Sequence, residues 1–234
     1  TLSGMLIAVV LLFSIFTIDS KAASTMPEAS NGVVKLTEDV TLTAGYVVPA
    51  GTTLKIDLNG HTIKTTTGLK ADVITVEKGA TLTITGNGTI TNSYTADNYA
   101  AVYNNGNTTI DGATLKLDTT VNKNTFYVVL NHGIMKTKNT NITSNDFSSS
   151  LFENGYYNYS SKDPRSGHID GVNEATPKLT IYSGIYDGGL NTIKNDDNGE
   201  IVIENGTFRN TKQVSLMNWN VATVNGGTFL TPTG

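Results

Sequence analysis

Ile181-Tyr182-Ser183-Gly184-Ile185-Tyr186 is followed by Ile203-Glu204-Asn205-Gly206-Thr207-Phe208 and then by Val224-Asn225-Gly226-Gly227-Thr228-Phe229. These are three statements of one phrase. Measured at the residue two before the final aromatic, they fall at 184, 206 and 227, spaced by 22 and 21. A self-similar period of about 20–30 residues marks a solenoid, in which each repeat buries its apolar face only against the next.

The phrase continues toward the N-terminus in weaker form. His61-Thr62-Ile63, Gly88-Thr89-Ile90, Ala113-Thr114-Leu115 and Thr140-Asn141-Ile142 hold the same place, at intervals of 27, 25 and 27. The step from 140 to 184 is 44, which reads as two periods of 22 with Gly155 midway between Gly133 and Pro177. Within each period, short alternating runs such as Leu82, Ile84 and Ile201, Ile203 are separated by Gly, Asn and Asp. Alternation over so few residues predicts strands, and the punctuation predicts turns with left-handed backbone angles. The fold class is all-β: a parallel β-helix of about eight rungs over residues 33–234. At roughly 4.8 Å per rung, its body is on the order of 40 Å long.

Composition narrows the function classes. The chain has 234 residues, no cysteine and a net charge of −4, which gives no electrostatic basis for binding nucleic acid or an anionic membrane. Met5–Ile18 is an apolar run of 14 residues, too short for the ~20 needed to span a bilayer and suited to the core of a signal peptide. Ser20 and Ala22 have the spacing of a signal-peptidase site, so a cleavable signal peptide over 1–22 is expected. It would be followed by a polar linker over 23–32, leaving no membrane span in the mature chain. The missing basic leader predicts a sequence truncated at its start. The absence of a polar cap after Phe229 predicts truncation at the C-terminus as well.

Val34-Lys35-Leu36-Thr37, Val47-Val48-Pro49-Ala50-Gly51 and Asp57-Leu58-Asn59-Gly60-His61-Thr62-Ile63 resemble the opening turns of secreted bacterial right-handed β-helix proteins. These are the pectin-lyase-like surface and adhesin-type proteins of Gram-positive organisms. The resemblance covers residues 33–230 as architecture and implies the right-handed fold. It implies the reaction far less, since that superfamily holds lyases, hydrolases, tailspikes and proteins without activity.

The regular pattern fails over residues 144–176. Phe147, Phe152, Tyr156, Tyr157 and Tyr159 are followed there by Asp163, Arg165, His168, Asp170 and Glu174. Aromatic planes cover the apolar faces of sugars and carboxylates accept hydroxyl hydrogen bonds, and long loops on a rigid scaffold often carry function. The ligand-binding candidates are Phe152, Tyr156, Tyr157, Tyr159 and His168, with a polysaccharide or host glycan as partner. No convergent catalytic set is visible. If the chain is an enzyme, Asp163, Asp170 and Glu174 would supply carboxylates and Arg165 a base. Hydrolysis needs two carboxylates about 5–10 Å apart.

Other residues read as architecture. His61 is expected to be a turn residue bonded along the stack. Asn104, Asn105, Asn131, Asn154 and Asn195 recur near one turn, where stacked amides bond rung to rung. The Thr-x-Thr pairs at 81–85 and 89–91 do not make an ice-binding face, because matching positions become Asp111, Lys116 and Lys136. No cofactor is expected. Asp196-Asp197 offers oxygen ligands for Ca²⁺ without a matching loop motif. The expected function is a secreted or cell-surface adhesin or stalk, non-catalytic and able to bind glycans. The alternative is a polysaccharide lyase or glycoside hydrolase. A phage spike component fits poorly with the signal-like start.

Overall fold

The computed structural model describes residues 23–118, 126–146 and 148–232. The expected signal peptide over 1–22 and the side chain of Phe147 lie outside them. Among the described residues there is no helix, and 23 strands form three parallel sheets of eight, eight and seven strands. Each rung visits the sheets in turn, as in Thr81–Thr85, Thr89–Asn92 and Val102–Asn104, before Asn107–Asp111 begins the next. The protein is a right-handed parallel β-helix of about eight rungs. No helix of the described residues is long and apolar enough to cross a membrane.

The alternation seen in the sequence points one side chain of each pair into the solenoid. In the first sheet the inward column runs Ile56, Ile84, Ile110, Thr137, Ile181, Ile203. In the second it runs Val40, Ile63, Ile90, Leu115, Ile142, Tyr186, Phe208, Phe229. Tyr186, Phe208 and Phe229 stack nearly parallel, with centroids 5.0 and 4.8 Å apart. Thr137 interrupts the isoleucine column. Its hydroxyl is buried but satisfied by the Tyr186 hydroxyl at 2.6 Å, and burial holds that phenol's pKa above its ordinary value.

Turn chemistry sets the corners. Asn59 and Gly60 both have positive φ, 49° and 85°. Asp57 accepts the Asn59 backbone N–H, and Asn59 Nδ2 donates to Leu36 O one rung back. That explains the Asp57–Ile63 motif as a corner that asparagine and glycine alone make cheaply. His61 stands in this corner with Nδ1 3.4 Å from Asp39, on the preceding rung.

The asparagine row is a ladder. Nδ2 of Asn104 donates to Asn131 Oδ1, Asn131 to Asn154, Asn154 to Asn195, and Asn195 to Asn218, at 2.7, 2.7, 2.6 and 2.7 Å. Asn105 stands beside the ladder and takes no part in these bonds. Glycine follows because the chain is crowded there: a Cβ on Gly133 would sit 2.3 Å from Gly106 O.

Two expectations are corrected. The interval from 140 to 184 holds one rung, not two, because Thr140–Ser144 pairs directly with Gly184–Gly188. The extra residues form a single excursion over 155–177, inserted between Phe152–Asn154 in the third sheet and Lys178–Ile181 in the first. The excursion therefore begins at 155 rather than 144. The rung count stays near eight because Val33–Lys35 and Val40–Leu42 already belong to the ladder. The 23–32 stretch also joins the solenoid: Ala23 bridges to Val40, and Met26 packs on the core.

Candidate functional site

The third sheet carries the site on its outer face. Its outward column runs Val47, Thr75, Tyr103, Leu130, Glu153, Lys194, Met217. Outward residues are ordinarily wet, yet Leu130 and Glu153 are each 1% exposed. The excursion, the loop over 93–101 and the described residues 126–128 lie beside this face.

The excursion has a small core of its own. Tyr159 and His168 stack at 5.1 Å, and Tyr156 meets both edge-on. Tyr156 also lies 4.6 Å from the His132 ring of the solenoid. Its hydroxyl donates to Glu174 O and lies 3.2 Å from Asn173 Oδ1. Its backbone exchanges hydrogen bonds with Asp197. Asn173 is fully buried and ties the segment together by accepting from Ile169 N and donating to Gly167 O.

Arg165 fastens the excursion to the solenoid. Its two terminal nitrogens donate to the two oxygens of Asp72, each at 2.8 Å, the planar fork that guanidinium and carboxylate share. Tyr99, Tyr103 and Phe126 surround the guanidinium at 5.4, 5.0 and 4.9 Å. Burial alone would lower its pKa; the hydrogen bonds and charge of Asp72 outweigh that and raise it. The guanidinium is thus held in its protonated form against Asp72. The neighbouring Tyr103 hydroxyl donates to Pro164 O at 2.6 Å, and burial pushes that phenol up to about 12.

With its proton committed to Pro164, the Tyr103 oxygen accepts from His132 Nδ1 at 3.3 Å. This assigns the neutral His132 its Nδ1–H form and leaves Nε2 buried without a partner. Burial first, and then the nearby Arg165 charge, lower the His132 pKa to about 3. Below the adjoining rungs Glu153 makes no close hydrogen bond; its nearest cation, Lys194 Nζ, is 3.5 Å away. Burial pushes the Glu153 carboxyl well up, and Asp196 adds to this. Lys194 contacts Asp196 closely and lies 4.9 Å from the Tyr157 ring centre. Burial pulls the Lys194 pKa down, but Glu153 and Asp196 more than offset this. The cluster sets a buried Glu153, whose carboxyl pKa burial raises, beside a Lys194–Asp196 ion pair.

Above this floor opens a cavity of about 440 Å³. Tyr99, Phe126, Tyr127 and Tyr157 supply its rings, and Asp163 and Arg165 its charges. Ring and loop thus converge from two successive solenoid loops and the excursion. The volume falls in the range of roughly 300–1,000 Å³ typical of small-molecule sites.

The candidates are distributed unevenly. Tyr157 is 67% exposed and lines this cavity. Phe152 does not: it continues the inward column Ile74, Val102, Val129, Phe152, Ile193 and is fully buried, so its ring has no face to offer. Tyr156 is likewise buried. Tyr159 and His168 border a separate depression with Asp170. Of the acids, Asp163 caps its own turn by accepting Arg165 N, Asp170 projects beside His168, and Glu174 lies 4.0 Å from Lys78. Asp163, Asp170 and Glu174 thus meet different neighbours and do not line one cavity. Asp196 is held by Lys194 and Asp197 by the Tyr156 backbone. Among the described residues no group of three or more His, Cys, Asp or Glu side chains is arranged to hold a metal ion. Tyr99, Phe126 and Tyr127 were not expected. Their signal was the longer intervals between strands, from 92 to 102 and from 117 to 129, against 42 to 46 and 188 to 193.

No protein-family model, curated protein or solved structure gives a match to this chain. The class rests on the architecture itself, a parallel β-helix consistent with the pectin-lyase-like superfamily.

Proposed function

We propose that this is a secreted or cell-surface β-helix protein that binds glycans through the cavity beside its third sheet, without cleaving them. The observation that carries the reading is the convergence of four aromatic side chains with Asp163 and Arg165 around one open cavity. Ring faces suit the C–H surfaces of pyranoses, and the flanking polar groups suit their hydroxyls. The non-catalytic reading is supported by the acids. Asp163 is the sole carboxylate lining the cavity among the described residues, and the buried Glu153 does not line it. Among the described residues no two carboxylates line this cavity as hydrolysis needs.

The test is incubation of the protein with plant, mucin and bacterial polysaccharides, scored for both retention and chain shortening. Retention without shortening is expected, with loss of retention in Tyr157→Ala. Shortened products would replace the binding reading with the lyase or hydrolase alternative.

A further inference from the structure

The charges around the cavity go further than the rings, and on the glycan-binding reading above they select its ligand. Arg165 is the one cationic side chain lining the cavity among the described residues. An arginine in a sugar site ordinarily signals a carboxylate on the sugar, met by the guanidinium fork. Here the fork is filled. Both terminal nitrogens bond Asp72, which is 6% exposed, and three rings stand around the guanidinium. The remaining donor, Nε, is buried.

The balance of the wall is negative. Arg165 and Asp72 cancel, and Asp163 leaves one carboxylate, which accepts Arg165 N within its own turn. Lys194, behind Tyr157, is held by Asp196. A uronate or sialate entering this space would give up its hydration, find the one cation lining it among the described residues already paired, and face Asp163. A hydroxymethyl group in the same place loses little hydration and can donate to Asp163. We infer that the cavity takes neutral hexose or pentose polymers and rejects uronic-acid and sialylated ones, Arg165 serving as a fastener and not as an anion receptor.

The experiment compares retention on neutral polymers (β-glucan, xylan, galactan, mannan) with acidic ones (polygalacturonate, alginate, hyaluronan, sialylated mucin). It is run at low salt, where charge effects are largest. Polygalacturonate and its carboxyl-reduced product supply a pair differing only at C6. Retained polymers are expected to be neutral, with acidic ones at least about tenfold weaker. Preferential retention of acidic polymers that is lost in Tyr157→Ala would overturn the charge inference and leave glycan binding standing. Retention of nothing, or retention indifferent to Tyr157→Ala, would overturn both. A second arm uses Asp72→Asn, which keeps an acceptor for Ala100 N but releases the Arg165 fork. The acidic-to-neutral affinity ratio is expected to rise by about tenfold. An unchanged ratio in a variant with the wild-type circular dichroism spectrum would count against the compensated-charge argument. Should this variant fail to fold, the wild-type panel decides alone.

Discussion

The inside of the solenoid and the excursion over 155–177 solve the same burial problem by opposite means. The solenoid repeats one solution. Ile56, Ile84 and Ile110, or Tyr186, Phe208 and Phe229, stack like on like, and each rung needs only its neighbour. The excursion repeats nothing. It is held by single contacts of particular chemistry: the Arg165–Asp72 fork, the Tyr103–Pro164 bond, and the Tyr156–Asn173–Glu174 knot. Periodic burial makes a rigid body. Aperiodic burial makes a surface with one place on it unlike the rest, and the cavity lies there.

The contrast can be broken most severely inside the solenoid. Ile203→Asn removes apolar burial and strands an amide in a fully buried column, with an expected loss of about 4–7 kcal/mol. Thermal or urea unfolding measures it, and an unchanged midpoint would refute the inward register. Arg165→Ala leaves Asp72 buried without its partner, at a cost of about 3 kcal/mol. The expected effect is local: faster amide exchange over 155–177 with core strands such as Ile201–Ile203 still protected. Uniform loss of protection would mean that excursion and solenoid unfold as one unit.

Titration sharpens the comparison further, because both displaced groups lie under the excursion. His132 has a folded pKa below its ordinary 6.5, so the unfolded chain takes up the proton first and stability falls as pH drops from 6.5 toward about 3. Glu153 has a folded pKa above its ordinary 4.5, so the folded chain keeps the proton longer and stability falls as pH rises above 4.5. Each contributes a slope of about 1.4 kcal/mol per pH unit in its own window. The two slopes oppose above 4.5; below it only the His132 decline remains, and the Glu153 decline lies on the alkaline side of 4.5. Glu153→Gln is expected to abolish the decline on the alkaline side in a melting-temperature series, and an unaltered profile would place the Glu153 proton elsewhere. The smallest effect on stability is Tyr157→Ala, within about 0.5 kcal/mol for so exposed a ring, while glycan retention is lost.

The legibility of the sequence follows the same division. Strands, period, asparagine ladder and fold class were readable because stacking imposes one spacing on every rung. The misreading at 140–184 arose because 44 happens to be twice 22, whereas direct pairing of Asn141 with Ile185 shows one rung and an insertion. Phe152 reads as a ligand residue from its aromatic neighbours. Its position two before Asn154 carries the contrary signal, since Val102, Val129 and Ile193 stand two before Asn104, Asn131 and Asn195 and all point inward. The site was half hidden for a physical reason. Tyr157, Asp163 and Arg165 come from the irregular stretch, but Tyr99, Phe126, Tyr127 and Asp72 are brought to it from other rungs by the winding of the chain. No spacing within one segment reveals such a meeting.

The asparagine ladder has a grain. Asn104, Asn131, Asn154 and Asn195 each give an amide hydrogen to the next rung; the row opens at Asn104, whose oxygen accepts from the Thr108 hydroxyl, and closes at Asn218, whose Nδ2 donates to Asn220 O. Such a file of dipoles polarises in one sense, each bond strengthening the next. A single Asn→Asp exchange, which swaps a donor for a second acceptor, would set two oxygens face to face and reverse the file at that point. The solenoid thus carries along one corner a chemical arrow that distinguishes its two ends even where the strands themselves look alike.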